Sequence, residues 1–270
     1  MRKTLLAIAV TSALAAALPS LAVAADAPAA SEHTLTGNVG LFSSYRFRGI
    51  DQTFGKPAIQ GGIDYSHASG FYAGNWNSNV SSGAGFPEGN LEMDFYGGYK
   101  FNVGDLGFDV GAIYYYYPGT NASFANNGKT HTGKVDNKEV YVGVSWNVLS
   151  AKYYYSVGDY FSTPDSKGSS YLDVAANFDL GDGWGVNAHV GHVKAKNIAN
   201  ASYTDYKLGV TKDVNGWVFG ASYIATNAKG DCGKGEFYCL SNSLTSTGAT
   251  GSSFKDGGRN VAVVSVSRSF

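Results

Sequence analysis

The stretch LEMDFYGGYKF, residues 91–101, sets charged and polar residues on every second position. Glu92, Asp94, Tyr96 and Lys100 share one parity, while Leu91, Met93, Phe95, Tyr99 and Phe101 share the other. In a strand, successive side chains point to opposite faces, so this pattern makes one charged face and one apolar face. The same parity rule, applied along the chain, collects Arg46, Arg48, Asp64, Glu92, Asp94, Lys100, Asp109, Glu139, Lys152, Asp173, Asp179, Asp205 and Lys207 on polar faces. Acids outnumber bases in this set. Carboxylates around a wet passage favour cations. The same charges can instead pair across an interior and fill it. Both outcomes stay open at this level. Arg46 and Arg48 fall at the outer end of the first strand, beside a long loop. They either attract anionic solutes at a constriction or brace that loop against Asp51 and nearby acids.

Other reactive side chains are few. Cys232 and Cys239 are the only cysteines, with six residues between them. An exported chain meets oxidising conditions, so a local disulfide restraining a surface loop is expected. The histidines are His33, His67, His131, His189 and His192. His33 precedes the predicted barrel, His67 falls in a tight turn, and His189 is a lone candidate on a polar face. No serine sits in a nucleophile elbow, and no triad, paired-carboxylate or metal-ligand spacing stands out. The expectation is a non-enzyme with no cofactor and no metal site. The net charge of -1 gives no electrostatic footprint for nucleic acid.

These residues need elements to position them, and alternation supplies strands throughout. EVYVGVSWNV sets Val140, Val142, Val144, Trp146 and Val148 against Glu139, Ser145 and Asn147. YLDVAANFDL and DYKLGV repeat the pattern. About twelve strands result, an even number suited to a closed antiparallel membrane barrel. HASG, NVGD, LSA, GDG and DVNG form short turns after even-numbered strands, with Gly, Asn and Asp for positive φ. Odd-numbered strands lead into long polar links, the longest running from Ala228 to Gly257. The expected fold is all-β: a closed transmembrane barrel with short periplasmic turns, long extracellular loops and both termini at the periplasmic end.

Arg2 and Lys3, an apolar run and the small-residue motif at Ala22–Ala24 read as an export signal over residues 1–24. A linker at 25–33 and the barrel at 34–270 follow. A soluble sandwich or lipocalin-like barrel would point its apolar face inward; a membrane barrel points it at lipid. Many charges on the polar face favour the membrane arrangement. So do aromatic residues near strand ends: Tyr45, Tyr99, Tyr114 to Tyr117, Tyr153 to Tyr155, Trp184 and Trp217. The terminal Phe270 matches the residue associated with recognition by the barrel-assembly machinery. Outer-membrane lipid and small polar solutes or ions are the other expected partners. Oligomeric state is not specified by the sequence.

The segment SSYRFRGIDQTFGKPAIQGGIDYSHASGFYAGNWNSNV, Ser43 to Val80, resembles the opening signature of the TorF-like porins of proteobacteria. EMDFYGGY resembles that family's next strand and VSVSRSF its C-terminus. The middle of the chain follows only the general pattern. The resemblance implies an outer-membrane barrel of a Gram-negative bacterium with a porin role. It implies no particular solute and no functional residues. A porin passing small polar solutes through a narrow, mildly acidic lumen is therefore the leading function. A barrel that recognises a partner through its long loops is the alternative, and a barrel enzyme a weaker one. Mass spectrometry of chain made in an oxidising compartment is expected to show no alkylatable thiol; two alkylated cysteines would refute the disulfide.

Overall fold

The computed structural model describes residues 31–270. The export signal and most of the linker lie outside the described residues. Twelve strands close into a single antiparallel barrel. They are β1 (His33–Phe42), β2 (Ala58–His67), β3 (Phe71–Asn79) and β4 (Leu91–Val103). Next come β5 (Leu106–Tyr116), β6 (Asp136–Trp146), β7 (Leu149–Ser156) and β8 (Ser170–Gly181). Last are β9 (Trp184–Lys194), β10 (Tyr203–Val214), β11 (Trp217–Thr226) and β12 (Val261–Ser269). Each strand pairs with its neighbours in sequence, and β12 returns to β1 with Asn38 opposite Ser269. Closure leaves no free sheet edge. Among the described residues no helix is long and apolar enough to cross a membrane.

The seam is sealed at the short-turn end by the last residue. Phe270 N–H donates to Gly37 O at 2.9 Å, and Gly37 N–H donates back at 2.8 Å. Both ends of the barrel chain therefore lie at the short-turn end, where His33 sits opposite His67. The apolar parity faces outward all round: Leu35, Ile59, Ile63, Val142, Leu208, Phe219 and Val264 stand open on the outer surface. The polar parity faces in.

The chain departs from the expected course after β1. The alternation through Phe47 suggests one continuous strand, yet the wall strand ends at Phe42. Residues beyond it turn into the barrel because Tyr45 and Phe47 find apolar contacts there, on Trp76 and Tyr115. Arg46 pairs with Asp51 and Phe47 with Ile50 in a minute hairpin. Its two-residue turn is Arg48-Gly49, both at positive φ (48° and 81°), the arrangement of a type I′ turn. Several expected girdle tyrosines go inside with it: Tyr45, Tyr115, Tyr117 and Tyr154 are buried. Tyr153, Tyr155, Trp184 and Trp217 do face outward.

The longest link, Ala228 to Gly257, folds over the mouth. Its short strands Cys239–Ser241 and Phe254–Asp256 pair, and Cys232 and Cys239 are joined by a disulfide. Gly257 O accepts from Asp51 N–H at 2.9 Å, which ties this lid to the inserted hairpin.

Close strand approach constrains one wall position severely. A Cβ at Gly62 would lie 2.2 Å from Asn75 O and 3.0 Å from Trp76 Cα, both backbone atoms that cannot swing aside. Gly62→Val is expected to destabilise the barrel by about 1–3 kcal/mol. The check is the temperature at which heat-modifiable gel migration is lost; an unchanged temperature would contradict the packing.

Candidate functional site

The strands bring the charged parity together inside the barrel, and the hairpin over residues 43–57 enters from the long-loop end. Arg48 sits at its tip, 3% exposed, and meets Glu139 of β6 through both nitrogens. Nη2 donates to Oε2 at 2.7 Å and Nη1 to Oε1 at 3.1 Å. Such two-pronged pairing suits the planar guanidinium and is closed to lysine. Glu139 also accepts from Asn137 Nδ2 at 3.0 Å. Arg48 Nη1 donates to the Tyr160 hydroxyl at 3.2 Å, and the guanidinium lies over the Tyr171 ring at 4.4 Å. One side chain thus joins the hairpin to β6, to β8 and to the loop after β7.

Arg46 is held within the hairpin and lid. Its Nη2 is 3.7 Å from Asp51 Oδ2, and its Nη1 donates to Gly257 O at 3.0 Å. Arg259, which sequence reasoning missed, donates to the same Asp51 oxygen at 2.6 Å. The expectation that Arg46 and Arg48 line the end of a wall strand is corrected: both belong to the inserted hairpin.

The other polar residues fall into two levels. Near the long-loop end, Glu92 is 0% exposed and accepts from the Tyr117 hydroxyl at 3.0 Å. Asp94 is buried beside it, on the same face of β4. Asp205 of β10 is also 0% exposed and accepts from the Tyr171 hydroxyl at 3.2 Å. Nearer the short-turn end, Asp109 takes Lys152 Nζ at 2.6 Å and the Tyr72 hydroxyl at 2.6 Å. Asp64 accepts from the Tyr96 hydroxyl at 2.5 Å. Lys100 lies over the Tyr72 ring at 4.7 Å. Packing therefore seals the first level, while at the second Asp109 and Lys152 are buried and Asp64, Lys100 and Lys207 keep partial exposure.

His189 does not stand alone. Its Nδ1 is 3.1 Å from Asp173 Oδ1 and its Nε2 is 3.0 Å from Asp205 Oδ1. The three residues sit on β8, β9 and β10, and both acids are diagonal neighbours of the histidine in the register. Lys207 is directly opposite His189 on β10. Asp179 takes no part in the charged network. It lies exposed at the short-turn end and accepts from Gly181 N–H at 2.9 Å.

Outside the barrel, a cleft of about 420 Å³ lies between the long loops, lined by Lys129, Tyr155, Asp159, Asp165, Lys167, Lys196 and Asn197. The hydrogen bond from Lys129 holds the Asp165 carboxyl below its usual range.

The pairing of Arg48 with Glu139 carries a stability consequence. Arg48→Asn keeps a residue that tolerates positive φ and removes the cation. Glu139 is then left buried without its counter-ion, at an expected cost of about 3 kcal/mol. Denaturant unfolding in detergent checks this; a variant as stable as the parent would show that the pair does not hold the hairpin.

The chain belongs to a family described as "Bacterial protein of unknown function (Gcw_chp)", whose model matches residues 26–270. A search of the curated proteins found no match. Among solved structures, the fold is similar to that of the KdgM porin, with 9% identity, a TM-score of 0.50, and coverage of 87% of this chain and 99% of that one. The NanC porin aligns at 11% identity and TM-score 0.47, covering 88% of this chain and 99% of the other. OccK8 (OprE) of Pseudomonas aeruginosa aligns at 13% identity and TM-score 0.42, covering 90% and 68%. At 9% identity the likeness to the KdgM porin shows the closed barrel fold alone.

Proposed function

We propose that the protein is an outer-membrane porin of a Gram-negative bacterium, with a narrow lumen restricted on the extracellular side by its own first loop. The observation that carries this proposal is the inversion of the barrel: apolar side chains cover the outside and charged ones line the inside. In water that arrangement would leave a wide apolar belt unburied. In lipid the belt is solvated, and closure satisfies the backbone within the wall. The short turns then face the periplasm and the long loops the exterior. Export over residues 1–24, assembly through the terminal strand ending in Phe270, and the TorF-like resemblance fit the same assignment.

The permeant species is a small polar solute or ion. Tyrosine hydroxyls, paired carboxylates and lysines around a partly wet periplasmic half suit such cargo and would repel an apolar one. Over the whole interior the acids Asp64, Glu92, Asp94, Asp109, Glu139, Asp173 and Asp205 outnumber the bases Arg48, Lys100, Lys152, His189 and Lys207, so cations are preferred. The Arg48 hairpin limits flux: with it seated, Glu92, Glu139 and Asp205 have essentially no exposed surface.

Planar-bilayer recording of the refolded mature chain tests the proposal. Small ohmic steps with a cation-favouring reversal potential are expected, and Arg48→Ala is expected to enlarge the step severalfold. Anion preference would overturn the acidic-lumen assignment. A barrel silent in both the parent and Arg48→Ala would overturn the porin assignment and favour recognition through the loop cleft around Lys129, Lys167 and Lys196.

A further inference from the structure

At the periplasmic rim of the barrel, away from the charged lumen, three potential ligands converge. His33 opens β1 and His67 closes β2, and the two are direct partners in the antiparallel register. Their ring centroids are 5.0 Å apart. Glu32 precedes His33, and its Oε1 lies 3.2 Å from His67 Nε2. One ligand atom from each residue can be chosen so that all three lie within 4.8 Å of one another.

The backbone fixes this grouping. Ala68 N–H donates to Glu32 O at 2.9 Å, which extends the β1–β2 pairing one step past the strand ends. The outer side of each ring is also engaged. His33 Nδ1 is 2.8 Å from the Tyr65 hydroxyl, and His67 Nδ1 is 2.6 Å from Ser69 Oγ. The Tyr65 oxygen can accept from His33 Nδ1–H, which leaves His33 Nε2 as a lone-pair nitrogen. His67 Nδ1 accepts from Ser69 N–H at 3.1 Å, so metal binding at its Nε2 requires the ring proton to move to Nδ1, with Ser69 Oγ as the acceptor. Ligating histidines are ordinarily oriented by such a partner on the second nitrogen. All three residues are reachable from water, as an exchangeable site requires.

We infer that Glu32, His33 and His67 form a binding site for a divalent transition-metal ion of the zinc class. Two imidazoles and one carboxylate select that class over calcium or magnesium, which take oxygen ligands. Three protein ligands leave a fourth position for water, the composition of an open zinc site. The single carboxylate leaves the complex with one positive charge at the periplasmic opening. The bound ion also joins β1 to β2, next to the seam where β1 meets β12.

The test uses the full mature chain without a histidine tag, refolded in detergent. Zinc chloride is titrated calorimetrically, and the electron paramagnetic resonance spectrum is recorded with Cu2+ as the probe. One ion per chain is expected, with copper coupled to two nitrogens. His33→Ala and His67→Ala should each weaken binding by about tenfold or more. His192→Ala, remote from the rim, should leave it unchanged. Heat-modifiable migration confirms that each exposed-site variant still folds. Absence of zinc binding, a spectrum without nitrogen coupling, or equal affinity in the His33→Ala/His67→Ala double variant would each overturn the site.

Discussion

A guanidinium carried into the middle of a barrel must find an anion there, because an unpaired buried charge costs several kcal/mol. Arg48 finds Glu139, and the remainder of the extracellular half is arranged around that pair. The hairpin that delivers Arg48 fills the space between Trp76, Tyr115 and Tyr141. Glu139 is stationed by β6 and oriented by the Asn137 amide, which donates to it. The lid over residues 228–257 then covers the hairpin, with Asp51 held by Arg259 and by the backbone of Gly257. Arg48 keeps a positive φ that few non-glycine residues adopt, and its contacts to the wall offset that backbone strain.

The wall makes this arrangement possible by reversing the usual distribution of polarity. A water-soluble barrel of this size would spend its inward positions on apolar packing. Here the inward positions hold carboxylates, lysines and tyrosine hydroxyls, and several of the charges are paired locally. Asp109 has Lys152 and Tyr72; Asp173 and Asp205 share His189. The two levels of the lumen differ in what fills the centre. Hairpin and aromatic rings pack the extracellular half, while the periplasmic half keeps partly accessible polar groups. The Arg48 hairpin therefore stands between the long-loop mouth and the polar walls of the other half.

The wall was legible in the sequence because strand periodicity is local. Alternation around Glu92, Asp94 and Lys100 assigns the inward face of β4 without knowledge of any neighbour. Turn chemistry at GDG and DVNG similarly marks the short-turn end. The hairpin was not legible, since Arg46 and Arg48 keep the strand parity right up to the turn. The Arg-Gly pair between Phe47 and Ile50 was its one local signal, a two-residue turn in which Gly supplies positive φ. Tyr45, Tyr115 and Tyr154 were assigned to the outer girdle because residue type does not tell a lipid-facing tyrosine from one packed on an inserted loop. His189 and its two acids lie on three different strands, and Glu32 and His33 reach His67 only through the β1–β2 register. Convergence of that kind depends on register, which sequence spacing does not reveal.

Thiol labelling of Ile50→Cys measures directly whether the first loop occupies the lumen. Ile50 is buried within the inserted hairpin, and the two native cysteines are joined in their disulfide. A membrane-impermeant maleimide is expected to leave Ile50→Cys unmodified in the folded barrel while labelling the exposed control Thr247→Cys. Adding Arg48→Ala should make position 50 reactive. Labelling of Ile50→Cys as fast as the control in the otherwise unaltered chain would place the hairpin outside the lumen and contradict the account.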